Sequence, residues 1–227
     1  MKALSFATVF AALSGFVLML IAARALGDVR SAELMAYWGL FFACTGFIDG
    51  LMQETTRAVA ASTSDTENAA RPASVGTLIA MGIGALALVV TPFVVTYLLS
   101  SDYPLAGGVF VVGLISYTYQ AVLSGVLSGL GLWRQYAGLV ALDSGIRFVL
   151  VVWVLGWGLP VFLFITVIGA LSWAVILGVS GKARHAFKAH ADVPAKVFAQ
   201  RSFTAMLATG ATATLVTGFT PAVKATS

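Results

Sequence analysis

The stretch FVLVVWVLGWGLPVFLFITVIGALSWAVILGVSG, residues 148–181, decides the fold. It runs for 34 residues without a charge. A straight helix of that length would measure roughly 51 Å at about 1.5 Å per residue, whereas bilayer hydrocarbon is about 30 Å thick. Its centre, Gly156-Trp157-Gly158-Leu159-Pro160, collects residues that break helices. The stretch therefore predicts two membrane-crossing helices, about 135–156 and 160–181. Trp157 suits the interface between them.

The rest of the chain has the same character. Of its 227 residues, 59% are hydrophobic and 10% charged, and the mean hydropathy is +0.97. Soluble domains are nearer 45–50% apolar and about 25% charged. That excludes an ordinary soluble globule and a disordered chain. A β-barrel would show short alternating strands instead of long apolar runs. Cys44 is the only cysteine, so there is no intrachain disulfide and no cysteine-based metal cluster. The net charge of +4 gives no argument for nucleic acid, because membrane proteins carry positive charge on the cytoplasmic side.

Further uncharged runs cover residues 3–23, 72–101, 103–133 and 202–223, and a run at 34–53 is interrupted only by Asp49. A cleaved signal peptide competes for the first, but its apolar region spans about 7–15 residues and this run is longer. Asp102 and Pro104 predict a tight turn, and Pro92 a kink in the third span. The last run holds six Thr between Thr204 and Thr220 and suits a bundle interior better than lipid. The expected architecture is all-α, a polytopic transmembrane bundle. Residues 1–181 form a six-helix lobe, 182–201 a basic cytoplasmic linker, and 202–227 the first helix of an incomplete second bundle. That last helix should pack loosely, its proper partners lying outside the chain.

Placing the N-terminus inside assigns Lys2, Arg57, Arg71, Arg134, Lys182, Arg184, Lys188, Lys196 and Arg201 to the cytoplasm. Only Arg24, Arg30 and Lys224 then lie outside. The positive-inside rule favours this orientation in a cell membrane. The linker, with His185 and His190, is either an interfacial grip on anionic lipid or an ordinary connection. Two histidines without further ligands do not make a metal site.

Leu4-Ser5-Phe6-Ala7-Thr8 is echoed by Arg201-Ser202-Phe203-Thr204-Ala205, as though a second unit begins near residue 202. Three segments then carry a family likeness. They are Arg24-Ala25-Leu26-Gly27 at the end of the first span, Asp49-Gly50-Leu51 through Arg57-Ala58-Val59-Ala60, and Gly125–Tyr136 with its Gly-Leu-Trp-Arg turn. Together they resemble polysaccharide and lipid-linked oligosaccharide flippases, in the superfamily that includes MATE multidrug exporters. The resemblance implies two six-helix bundles with a substrate path between them. It also implies that this chain is a fragment, or a reduced member needing a second bundle or another subunit.

Motifs for hydrolase, zinc, nucleotide or redox chemistry are absent, and neither enzyme activity nor a cofactor is expected. Gly125 and Gly129 have the spacing of helix-packing contacts. Charges inside spans are more informative, since one at the bilayer centre costs about 2.5–3.5 kcal/mol on insertion scales. Asp143 and Arg147 lie four apart, on one helical face, and should face the bundle interior. They form either a self-neutralising structural pair or a polar site for an anionic or sugar headgroup. Asp49 is a candidate proton- or cation-linked group. Glu54 and Arg57 can pair at the end of the second span. Arg24 is an interface anchor, or, as the resemblance implies, a cavity residue that meets phosphate. The candidate substrate-binding set is thus Arg24, Asp49, Asp143 and Arg147. The expected function is flipping of lipid-linked saccharide or export of polysaccharide precursors by alternating access, with membrane lipids as further partners. Small-solute or multidrug export and a non-transporting scaffold are the competing readings.

Overall fold

The computed structural model describes residues 2–62, 68–99, 104–153 and 158–217. Among these, the regular elements are helical: α1 (Lys2–Ala60), α2 (Pro72–Leu98), α3 (Pro104–Gly129), α4 (Trp133–Trp153), α5 (Leu159–Ile168), a 3-10 turn (Gly169–Leu171), α6 (Ser172–Val179), α7 (Gly181–Ala186) and α8 (Ala195–Thr217). Five stretches are long and apolar enough to cross a bilayer, with Leu159–Val179 counting as one of them.

The first stretch supplies two crossings. It holds 57 residues, roughly 86 Å at about 1.5 Å per residue. The chain turns back at Gly27, whose φ of 74° and ψ of 175° lie where a side chain would be strained. Leu18 and Ala22 before the turn share one apolar core with Leu34, Tyr37 and Phe41 after it. The apolar runs 3–23 and 34–53 leave a short polar stretch between them. Helix instead resumes at once through Asp28, Arg30 and Glu33. Charges end a hydrophobic run without ending a helix. The second arm likewise continues past Gln53 to Ala60.

α3 lies at the centre and is the most buried span. It approaches the second arm of α1 closely because Gly125 and Gly129 have no side chains. A Cβ at Gly125 would stand 2.7 Å from the Met52 carbonyl oxygen, and one at Gly129 would stand 2.8 Å from that of Thr56. The packing role expected of this pair is the one it has. α2 continues as helix through Pro92 to Leu98. Of the expected turn and breaker residues, Asp102, Gly156 and Trp157 lie outside the described residues, while Gly158 caps α5.

The 182–201 segment is more structured than a plain linker. It contains α7 and the first turns of α8. Its middle is stitched to the end of the α1–α2 loop. Ala69 bridges Pro194, the Ala70 N–H donates to the Val193 carbonyl at 2.9 Å, and the Ala191 N–H donates to the Ala70 carbonyl at 2.8 Å.

Two expectations about the seventh helix are corrected. It starts at Ala195, not 202, because Lys196 and Arg201 point away from the bundle and do not interrupt the helix. Nor is it loosely packed. Phe198, Ser202, Met206 and Gly210, four apart, form a buried stripe against the second arm of α1. Gly50 meets the backbone of Ala205 and Met206, and Gly210 meets the Phe47 ring. Thr209 donates to the Phe47 carbonyl at 3.2 Å. The opposite face, with Phe203 and Leu207, is open. Residues beyond Thr217, including the end of the expected span, lie outside the described residues.

Candidate functional site: a charged cluster inside the bundle

Asp143 and Arg147 occupy successive turns of α4. Arg147 Nη2 donates to Asp143 Oδ1 at 2.9 Å, with side-chain exposures of 10% for Arg147 and 17% for Asp143. Three surfaces enclose the pair. The guanidinium carbon sits 5.6 Å from the centroid of the Phe42 ring, a cation–π contact with the second arm of α1. On another side the pair lies against the backbone at Gly169, where a Cβ would collide with Arg147 Nε and Asp143 Oδ1. The third is α3, whose Tyr117 lies within electrostatic reach of both charges.

Tyr117 also bonds Asp49. Its hydroxyl donates to Asp49 Oδ1 at 2.8 Å. Phe42 and Asp49 are seven apart, two turns on one face of the same arm, so one helix offers an aromatic face to Arg147 and a carboxylate to Tyr117. Within this cluster Arg147 Nε is buried without a hydrogen-bond partner. An unpaired buried donor costs about 1–3 kcal/mol, so it marks where an acceptor would be stabilised.

A second polar network lies behind the pair. The 3-10 turn at Gly169–Leu171 interrupts the α5–α6 span at membrane depth and leaves carbonyls in need of donors. Ser116 donates to the Ala170 carbonyl at 2.8 Å and accepts from Trp173 Nε1 at 2.8 Å. Gln120 stands 3.0 Å from Ser172 Oγ. With its amide nitrogen turned toward the break it also reaches the carbonyls of Gly169 at 3.3 Å and Ala170 at 3.1 Å. Lipid offers no donors, so α3 supplies them.

Of the four candidate residues, Asp143 and Arg147 pair directly, and Asp49 is bonded by Tyr117, which lies within electrostatic reach of that pair. Arg24 does not join them. It is exposed one turn before Gly27, at the opposite end of the bundle from the linker. Glu54 and Arg57 do pair, at 2.6 Å, and Arg57 also reaches Asp192 at 3.0 Å. Sequence reasoning missed Tyr117, Phe42 and Gly169. One signal was visible: Ser116-Tyr117-Thr118-Tyr119-Gln120 is a run of five polar-headed residues inside an apolar span. Among the described residues no group of His, Cys, Asp and Glu has the arrangement of a metal site.

No protein-family model matches the chain. The chain is similar to the uncharacterized protein Mb3654 of Mycobacterium bovis, 31% identical over 229 residues, covering 97% of this chain and 53% of that protein. It is likewise similar to the uncharacterized protein Rv1510 of Mycobacterium tuberculosis, 32% identical over 227 residues, covering 97% and 52%. The chain thus spans about half the length of the curated relatives it matches. Its fold is that of one half of MOP superfamily transporters. A MOP superfamily transporter from Pyrococcus furiosus superposes with a TM-score of 0.66 at 16% identity, over 95% of this chain and 52% of that one. An outward-facing multidrug resistance MATE family transporter of the same superfamily superposes with a TM-score of 0.67 at 17% identity, over 95% and 51%.

Proposed function

We propose that this chain forms one half of an alternating-access membrane transporter of the MOP superfamily, with the Asp49–Tyr117–Asp143–Arg147 cluster as its working polar site. The observation that carries the reading is the excess of carboxylates over guanidinium inside a bundle built for apolar surroundings. The cluster holds two acids and one base, so its carboxylates outnumber its cations. An unbalanced charge at membrane depth is expensive and is characteristic of ion and substrate pathways. Uptake of a proton or monovalent cation at Asp49 would neutralise the cluster and change what Tyr117 and Arg147 can hold. A scaffold gains nothing from that instability.

The substrate favoured here is a lipid-linked saccharide. Its phosphate would accept from Arg147, including the unpartnered Nε, since a guanidinium pairs phosphate through two donors. Its lipid tail would remain in the bilayer. The function is then transport without bond-making, at the cell membrane with the N-terminus cytoplasmic, and the second bundle comes from further polypeptide or from another subunit. The excess of carboxylates favours a second reading, export of small cationic solutes, which fits the multidrug transporter among the structural neighbours.

Proteoliposomes carrying the complete protein to which this chain belongs separate the two. Flipping of a fluorescent lipid-linked saccharide, lost in Arg147→Gln, supports the first reading. Efflux of a lipophilic cation, lost in Asp49→Asn and with no saccharide flipping, replaces it with the second. Neither activity would remove the transport assignment.

A further inference from the structure

At the linker end of the bundle a groove of about 410 Å³ runs between the first arm of α1 and the start of α4. One wall is aromatic: Phe6 and Phe10, a turn apart, with Ala7 beside them. The other is a single α4 stripe on which Arg134 is followed by Ala137 and Ala141, three and seven residues on. That spacing keeps all three on one face of the helix. Small residues in the stripe leave the floor low, and Phe6 rises from the far wall with 77% of its surface exposed.

Among the described residues Arg134 is the only charged one lining the groove, and it stands at one end. It is exposed, and among the described residues no carboxylate pairs with it. The preceding Trp133 opens α4 and is 42% exposed, as suits an indole at the membrane–water boundary. The groove therefore begins at headgroup level with one unmatched cation. It continues toward the membrane interior between apolar walls, beside the exposed Val9, Leu13 and Phe16 of the same arm.

From this arrangement we infer a binding site for an anionic phospholipid: one acyl chain lies between Phe6/Phe10 and Ala137/Ala141, and the headgroup phosphate pairs with Arg134. The groove is distinct from the charged cluster, and the inference does not depend on what that cluster transports. Apolar contact alone distinguishes nothing here, because bulk lipid offers the same hydrocarbon. Discrimination comes from Arg134. A cation near an anionic surface contributes enough to enrich an anionic lipid about fivefold over a zwitterionic one.

The test places the complete protein to which this chain belongs in nanodiscs of phosphatidylcholine with a trace of photoreactive lipid, its diazirine on an acyl chain. The probe is either phosphatidylglycerol or phosphatidylcholine. Expected are crosslinks to residues 6–10 and 137–141, about fivefold more with the phosphatidylglycerol probe. Arg134→Gln should equalise the two probes and Arg134→Lys should keep the preference. Ala141→Leu, which fills the floor, should reduce labelling by both. Arg134 is exposed, so its variants are expected to fold, and circular dichroism checks this. Equal labelling of the wild type by the two probes would overturn the inference, as would an unchanged preference in Arg134→Gln. So would crosslinking of a photoreactive residue placed at position 137 to another polypeptide, which would make the groove a protein interface.

Discussion

Two Asp–Arg clusters of similar chemistry sit at opposite levels of this bundle. Asp143 and Arg147 lie inside, with 17% and 10% of their side chains exposed. At the linker end Arg57 is 44% exposed and is shared by Glu54 and Asp192, with Arg201 at 3.9 Å from Asp192. Distances are alike in the two places, 2.9 Å for the inner pair and 3.0 Å for Arg57 to Asp192. Their energetics are not. Water and counter-ions stabilise Arg57 at the linker end even when Asp192 is removed. Inside, the described surroundings of each charge are its partner, the Phe42 ring, the Gly169 backbone and Tyr117. The comparison teaches that ion-pair geometry says little about consequence until the surroundings are known.

The largest expected effect is at the inner pair. Asp143→Asn leaves Arg147 charged and unpaired, and breaking one side of a buried pair costs about 3–5 kcal/mol. Thermal unfolding in detergent, or the folded fraction recovered from membranes, measures this. Asp143→Leu with Arg147→Leu should regain most of that stability. If the double variant folds but the complete protein no longer transports, the pair is functional. Normal transport by the double variant would leave the pair a structural one. If Asp143→Asn destabilises no more than a linker-end substitution, the contrast between the two clusters fails.

Next comes Tyr117→Phe. It deletes the donor to Asp49 without changing shape, and hydrogen bonds to charged groups contribute about 1.5–3 kcal/mol. The loss should shrink to about 0.5–1.5 kcal/mol in an Asp49→Asn background, where the acceptor is a neutral amide oxygen. An undiminished loss there would show that Tyr117 acts through packing. Gly169→Ala should cost about 1–3 kcal/mol, since its methyl group would enter the space of Arg147 and Asp143 and force them to shift. Gly82→Ala in α2 is the control, because a Cβ there meets nothing within 4 Å. Equal stabilities for these two variants would mean that the ion pair does not need the bare backbone at residue 169.

The two clusters also differ in how far the sequence announces them. Asp143 and Arg147 stand out because a bilayer penalises charge, and their spacing of four fixes their common face. Glu54 and Arg57 are equally visible as a pair. Asp192 is not, because it lies 135 residues from Arg57 and is brought close by the pairing of residues 69–70 with 191–194. Tyr117, Phe42 and Gly169 are hidden for the same reason: their roles arise from packing between helices. The crossings themselves are plain from length and hydropathy. Their ends are not, and the misplaced start of α8 and the short turn at Gly27 share one cause. Asp28 and Arg30 in one place and Lys196 and Arg201 in the other lie at exposed helical positions, while Glu33 is buried within its helix, and in both places apolar run length ends before the helix does.

The smallest expected effect sharpens the contrast from the other side. Asp192→Asn removes a carboxylate that accepts from Arg57 Nη1 and Nη2 at 3.0 and 3.2 Å. Arg57 keeps both of its bonds to Glu54, at 2.9 and 2.6 Å, so no charge is stranded. Arg57→Gln would be a poorer choice, because it would leave the Glu54 carboxylate, 8% exposed, without its cation. The linker also stays in place through backbone bonds at residues 69–70 and 191–194 that do not involve the Asp192 side chain. With Arg57 almost half exposed, the change should cost about 0.2–1 kcal/mol, and less in high salt, where the screening length falls to about 3 Å at 1 M. Unfolding measured at low and high salt checks both magnitude and trend. A loss of several kcal/mol that persists in high salt would mean that this cluster is screened from water as the inner one is, and that the two differ in position but not in kind.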